Sequence, residues 1–257
     1  MAQGGIVKFG DWISEGWNLF TKQWQTWGLM GLMFFVPILV FIAIFFFIGF
    51  GAEFIARGSA SAIVGIIAAV VLGSLMLLLA ISYLMGGMYK AAFKQLRGEP
   101  IEFADVWSGG DVFWKITVAN ILIGLLSVVG VLLCYFPVFV VAGLTYLTHP
   151  IIVRENLNPV DAIKKSKDLA KNDWLMFTIF AFVVSLLAQV GVYACYIGIV
   201  FSIPLTYTIG VVAYRDCFEP ELKPAASAQP NSKTCKNCGK PIPVHSNFCD
   251  FCGAGQV

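Results

Sequence analysis

Residues 116–153 read ITVANILIGLLSVVGVLLCYFPVFVVAGLTYLTHPIIV, with no Asp, Glu, Lys or Arg among them. A helix needs about 20 apolar residues to cross a bilayer, so this run is long enough for two spans and too long for one. Cys134-Tyr-Phe-Pro137 supplies the break. The stretch therefore predicts a hairpin of two membrane helices, at about 114–133 and 136–153. Two further blocks, 58–89 and 174–214, lack every Asp, Glu, Lys, Arg and His. The second breaks near Cys195–Gly198 into helices at about 174–194 and 196–214. Block 58–89 holds one helix, about 62–89. The apolar stretch 23–52 holds another, about 29–50, with Pro37 expected as a kink. The sequence thus predicts six spans.

Composition agrees with that reading. Of 257 residues 58% are hydrophobic and only 12% charged, and the mean hydropathy is +0.80. A soluble domain carries about 25% charged residues, so a soluble enzyme, a secreted disulfide scaffold and a disordered chain are all excluded. A net charge of +2 gives no argument for nucleic acid. The first 28 residues hold Asp11, Glu15 and four Trp and show no cleavable-signal pattern, so the first span is expected to serve as the targeting signal.

Charge orients the six helices. With six spans, 16 of the 17 Lys and Arg residues fall on one side and Arg57 alone on the other. The positive-inside rule makes the crowded side cytoplasmic. The expected location is the inner membrane of a cell, with both termini in the cytoplasm.

The two later hairpins repeat each other. Val129-Gly-Val-Leu-Leu-Cys-Tyr135 matches Val190-Gly-Val-Tyr-Ala-Cys-Tyr196; Leu144-Thr-Tyr146 matches Leu205-Thr-Tyr207; and Arg154-Glu155 matches Arg215-Asp216, all offset by 61 residues. A looser first copy places Tyr83 and Lys90 at related positions. Polar or amphipathic segments precede the hairpins, and two of them share a pattern. Asp11-x-Ile13-x-x-Gly16-x-Asn18-Leu19 corresponds to Asp161-x-Ile163-x-x-Ser166-x-Asp168-Leu169. The spacing of Phe9, Ile13, Phe20, Trp24 and Trp27 predicts an aromatic helix face at the inner membrane surface. The expected architecture is all-α: three repeated hairpins with cytoplasmic interfacial helices.

Candidate chemistry inside the membrane is sparse. Asn120, Ser127, Ser185, Gln189, Thr145 and Thr206 are the polar residues of the spans, read as interhelical hydrogen-bonding groups. His149, before Pro150, reads as a satisfied interfacial group. With only His149 and His245 in the chain, a histidine-based triad has little to build on. Glu99, Glu102, Asp105 and Asp111 read as loop charges and helix caps rather than metal ligands. Cys134 and Cys195 read as buried small residues, with a disulfide between them as the alternative.

The tail is different. Residues 219–234 are rich in Pro, Ala, Ser and Gln, the composition of a flexible linker. Then come Cys235-Lys-Asn-Cys238-Gly and Cys249-Asp-Phe-Cys252-Gly. Each Cys-x-x-Cys turn presents two thiolates to one ion, and two such turns make a closed tetrahedral site for a structural Zn²⁺. Residues this few fold only with the metal bound. Phe248 and Phe251 are expected to form the small core of this module, and a redox dithiol pair is the alternative. Thiolate ligation needs a reducing compartment, in agreement with a cytoplasmic C-terminus. The expected domains are an interfacial helix (1–28), a six-helix membrane domain (29–218), a linker (219–234) and a zinc ribbon (235–253).

Cys235–Gly253 resembles the short zinc-ribbon tails of bacterial membrane proteins. The membrane part, on its Gly- and Trp-rich entry at 16–27 and its hairpin pattern, is similar to uncharacterised six-helix bacterial integral membrane families. These include the membrane domain found beside some glycerophosphodiester phosphodiesterases. The phosphodiesterase catalytic residues have no counterparts here. The lack of intramembrane charge and of catalytic sets, beside one interaction module, leads to the expectation of a non-enzymatic scaffold or accessory protein whose ribbon docks a cytoplasmic or membrane partner, with homo-oligomers possible. The alternative is a transporter or channel for a neutral or lipid-like solute, lined by Asn120, Gln189 and the repeated Thr and Tyr residues.

Overall fold

The computed structural model describes residues 7–56, 60–133, 136–193, 198–220, 232–235, 237, 241–243, 246, 248, 252 and 254–255. They fall into two compact units, Met1–Tyr214 and Arg215–Val257. The first is helical: α1 (Phe9–Lys22), α2 (Trp24–Leu32), α3 (Phe35–Ala56), α4 (Ala60–Leu96), a 3₁₀ segment (Phe103–Asp111), α5 (Phe113–Leu132), α6 (Phe136–Leu144), α7 (Thr148–Glu155), α8 (Pro159–Ala170), α9 (Trp174–Tyr193) and most of α10 (Ile199–Phe218). In the second unit, β1 (Ser232–Thr234) pairs antiparallel with β2 (Pro241–Pro243), Lys233 opposite Ile242. Cys134, Cys195, Arg57, Cys238, Cys249 and Phe251 lie outside the described residues.

Among the described residues, five helical stretches are long and apolar enough to cross a membrane: Trp24–Ile48, Ile63–Leu96, Phe113–Leu132, Phe136–Glu155 and Pro159–Gly191. Their outward faces are apolar, with Phe47, Leu72, Leu125 and Leu132 all more than half exposed. The sixth expected span corresponds to α10, which is long enough but less apolar. Its composition follows from its place. Leu205, Tyr207, Thr208, Ile209, Val211, Val212 and Tyr214 are all buried. A helix wrapped by protein has no need of a lipid-facing surface, so it can carry Thr and Tyr.

Prolines shape the breaks differently from the sequence reading. Pro37 is the third residue of α3 and follows a turn at Met33–Phe34, so it opens a helix rather than kinking one. The expected helix at 136–153 divides at Thr145–Leu147. Pro150 has no N–H to offer the Tyr146 carbonyl, and the chain tightens there through Thr148 N–H to Thr145 O at 3.0 Å. In α10, Pro204 likewise withholds a donor from the Val200 carbonyl. Gly31 packs on that carbonyl so closely that a Cβ would lie 2.1 Å from it.

The aromatic face of α1 also differs from expectation. Trp12, Gly16, Leu19 and Phe20 are buried, whereas Trp24 is half exposed. The helix ends at Gln23, whose φ of −137° interrupts it before α2, and there Trp27 is buried as expected. Trp12 packs edge-on against Phe180 at 5.1 Å.

Three close contacts tie these segments to distant helices. A Cβ on Gly16 would lie 2.9 Å from Ile209 Cα; one on Gly109 would lie 2.8 Å from Gly87 N and 2.2 Å from Tyr83 O. Ser166 Oγ donates to Leu144 O at 2.7 Å. Gly16, Gly109 and Ser166 hold the same place in one pattern: Ile13-x-x-Gly16-x-Asn18-Leu19, Val106-x-x-Gly109-x-Asp111-Val112 and Ile163-x-x-Ser166-x-Asp168-Leu169. On the receiving helices, Tyr83 and Leu144 are 61 residues apart, as are the ends of α5 and α9. Each segment thus packs on a helix outside the pair that follows it: α1 on α10, the 3₁₀ segment on α4, and α8 on α6. The contacts close a ring.

Candidate functional site

Among the described residues of the membrane unit, a polar cluster is built from four helices. Asn120 of α5 donates through Nδ2 to Ser82 Oγ of α4 at 3.0 Å, and its Oδ1 lies 2.9 Å from His149 Nε2 of α7. That arrangement selects the tautomer of His149 with its proton on Nε2. The His149 ring stacks on Tyr89 with centroids 6.2 Å apart, and Tyr89 meets Tyr207 of α10 edge-on at 4.8 Å. Tyr146, the repeat partner of Tyr207, places its ring edge-on to Phe180 at 5.2 Å. Its hydroxyl is buried and has no hydrogen-bond partner among the described residues. The side chains of this cluster are uncharged amide, hydroxyl, phenol and imidazole groups, and Asn120 is engaged on both of its polar atoms. Chemically it ties helices together.

The other polar residues of the spans divide into two sets. Ser127, Thr145, Ser185 and Thr206 bond carbonyls of their own helices, three or four residues back, at 2.7–2.8 Å. They do not bridge helices as expected, because a hydroxyl in a helix reaches its own preceding turn first. Gln189 is exposed. The bridging hydroxyls are ones the sequence reading passed over: Ser202 Oγ to Ala188 O at 2.7 Å, Thr208 Oγ1 to Gly16 O at 2.9 Å, and Ser166. Of the three, only Ser166 carried a sequence signal, its place in the pattern shared with Gly16. Gln95 was also missed; it accepts from the buried Trp27 Nε1 at 3.0 Å.

Acidic residues near the 3₁₀ segment are taken up by lysines and backbone. Asp105 accepts from Lys94 at 3.0 Å and from the backbone N–H of Glu102 at 2.8 Å, completing a capping box. Asp111 pairs with Lys90, and Glu99 with Arg97 at 2.7 Å. Slight burial works to raise the pKa of Asp111, but the hydrogen bond and charge of Lys90 outweigh it and hold that carboxyl below its usual range. These are the cap and loop roles the sequence suggested. Of the repeated Arg-acid pairs, Arg215 bonds its neighbour Asp216 at 2.5 Å, while Glu155 accepts from Tyr214 Oη at 2.7 Å and pairs with Lys165.

In the second unit, Cys235 Sγ and Cys252 Sγ lie 3.7 Å apart, and Asn237 Nδ2 is 3.9 Å from Cys252 Sγ. Four thiolates at about 2.3 Å around a tetrahedral ion are separated by roughly 3.8 Å, and a disulfide needs about 2.05 Å. The separation fits two ligands of one metal. Cys238 and Cys249 lie outside the described residues, and among the described residues no three ligand side chains come together. Phe248 is two-thirds exposed, contrary to its expected core role. It forms an isolated antiparallel β-bridge with Gly255.

Comparison with family models, curated proteins and solved structures finds no match to this chain.

Proposed function

We propose that this protein is a non-enzymatic membrane scaffold with a metal-organised docking module at its C-terminus. In this reading α10 is the sixth span and the bundle consists of three related hairpins. Both termini are cytoplasmic, and the membrane is the inner membrane of a cell. Cys235, Cys238, Cys249 and Cys252 hold a structural Zn²⁺ that folds the tail and presents it to a cytoplasmic or membrane partner. The metal would supply rigidity rather than reactivity, since four protein ligands leave no open position.

The observation that carries the reading is the 3.7 Å separation of Cys235 and Cys252 sulfurs, brought together from opposite ends of the cysteine motif. The membrane unit supports it from the other side. Asn120, which a solute pathway would need exposed, spends its amide on Ser82 and His149. That favours the scaffold over the transporter or channel. The matching offset of α5 and α9 and the ring of small-residue contacts support duplication of one hairpin unit.

The test is recovery of partners from membranes in mild detergent, using the full chain and a chain lacking 219–257. A protein retained by the first and lost from the second is expected. Identical recoveries from both would reject the docking role.

A further inference from the structure

The outer face of α5 and the surface of α8 enclose a groove of about 350 Å³, lined by Leu122, Leu125, Leu126, Val129, Val160 and Ile163, with Lys164 as its single cation. Every lining residue but Lys164 is apolar. Leu125, Leu126 and Val129 belong to a stretch apolar enough to cross a membrane, so they face hydrocarbon rather than water. The charges on α8 are otherwise committed or turned elsewhere. Lys165 pairs with Glu155, and Lys171 with Asp168. Lys164 has no ion pair among the described residues. Asp161 and Lys167 share the helix and are exposed, but do not line the groove.

The geometry points to a bound anionic phospholipid, its acyl chain along Leu122–Val129 of α5 and its phosphate on Lys164. The chemistry on both ends selects this occupant. An acyl chain matches a cleft with six aliphatic side chains and no hydrogen-bonding group beyond the ammonium. A free ammonium at the rim of such a cleft, near the membrane surface, attracts anionic headgroups over zwitterionic ones. The inference does not rest on the cysteine tail. It assigns Lys164 a role distinct from that of Lys165, which is consumed within the protein.

Native mass spectrometry of the full chain in non-ionic detergent tests this, with phosphatidylglycerol and phosphatidylcholine of identical acyl chains as probes. Wild type is expected to retain phosphatidylglycerol preferentially. Lys164→Gln should reduce that retention by about fivefold, the effect of one basic residue at a membrane surface. Lys167→Gln, on the same helix but outside the groove, should leave it within about twofold. Leu126→Trp, which fills the cleft while keeping Lys164, should also release the lipid. Equal retention of the two lipids by wild type would overturn the assignment. So would equal losses from the two lysine variants, or full retention by Leu126→Trp.

Discussion

Thr208 Oγ1 donates to the carbonyl of Gly16 at 2.9 Å, across 192 residues of chain. This bond closes the first helix of the membrane unit onto its last. The same hydroxyl also lies 2.9 Å from Leu205 O, so its one proton is shared between the two carbonyls and links a turn of α10 to the backbone of α1. Only a residue without a side chain permits that approach, since a Cβ on Gly16 would collide with Ile209. The unit is therefore held together by backbones in contact as much as by side chains. Such packing is how helices associate where lipid removes the hydrophobic drive.

Glycines at the ring contacts are expected to be intolerant, and glycines in open space tolerant. Gly87→Val would drive its side chain into the Val106 carbonyl, 1.9 Å from the Cβ position, and Gly16→Val into Ile209. Each should lower stability by about 1–3 kcal/mol or more, the scale of overpacking in a rigid site. Gly10 and Gly124 have nothing within 4 Å of a Cβ. Alanine at either should be neutral or stabilising by up to about 1 kcal/mol. Thermal unfolding in detergent compares the two pairs, and similar shifts in both would contradict the ring.

How much of this was legible in the sequence depends on which force wrote it. Lipid demands a run of apolar residues, so 116–153 and 174–214 declared their helices without help. Packing between helices leaves a fainter trace. Gly109 is equivalent to Gly16 and Ser166, yet its segment folds as a 3₁₀ helix only four residues ahead of α5, where the other two lie eight residues ahead of α2 and α9. That difference hid the third copy of the pattern. Hydroxyl roles were illegible for another reason. Thr206 and Thr208 are two residues apart on one helix, but only Thr208 faces a neighbouring carbonyl. Which face of α10 meets α1 is decided by the whole bundle.

Asn120 and His149 should be energetically coupled. Removing either partner leaves the other with an unpaired polar atom, and bonds between membrane helices are worth about 0.6 kcal/mol, reaching about 1.7. A double-mutant cycle on Asn120→Ala and His149→Ala is expected to return a coupling in that range by thermal or denaturant unfolding. Strict additivity of the two losses would show that the 2.9 Å contact contributes nothing.

The Lys90–Asp111 pair should make the 3₁₀ segment sensitive to acid. The Asp111 pKa is depressed in the folded protein, chiefly because Lys90 overrides the opposing effect of burial. A depressed carboxylate stabilises the fold fully above its unfolded pKa of about 3.9 and loses that contribution as pH falls through the lower folded value. Two-thirds of the Asp111 side chain is exposed, so solvent limits the pair to under about 1 kcal/mol. Asp111→Asn should therefore increase hydrogen exchange over Phe103–Asp111 at neutral pH, and the difference should shrink as pH falls below the free carboxylate's range. A difference that persists in acid would assign the effect to something other than charge.

Cys235→Ser is expected to cost the tail both its metal and its fold. Its sulfur lies 3.7 Å from that of Cys252, at the other end of the motif, so in the proposed site a hydroxyl there would remove one corner of the tetrahedron. A closed four-thiolate site binds zinc by about 10–16 kcal/mol in small modules, and that free energy is also their folding free energy. Wild type should carry about one zinc per chain, and Cys235→Ser much less, with the pairing of Ser232–Thr234 and Pro241–Pro243 lost to rapid hydrogen exchange. The membrane helices should be untouched in far-UV circular dichroism. Zinc at wild-type stoichiometry in the variant would remove Cys235 from the ligand set. A metal-free wild type whose cysteines oxidise in pairs would instead make the two Cys-x-x-Cys turns a redox device, and the docking module would lose its physical basis.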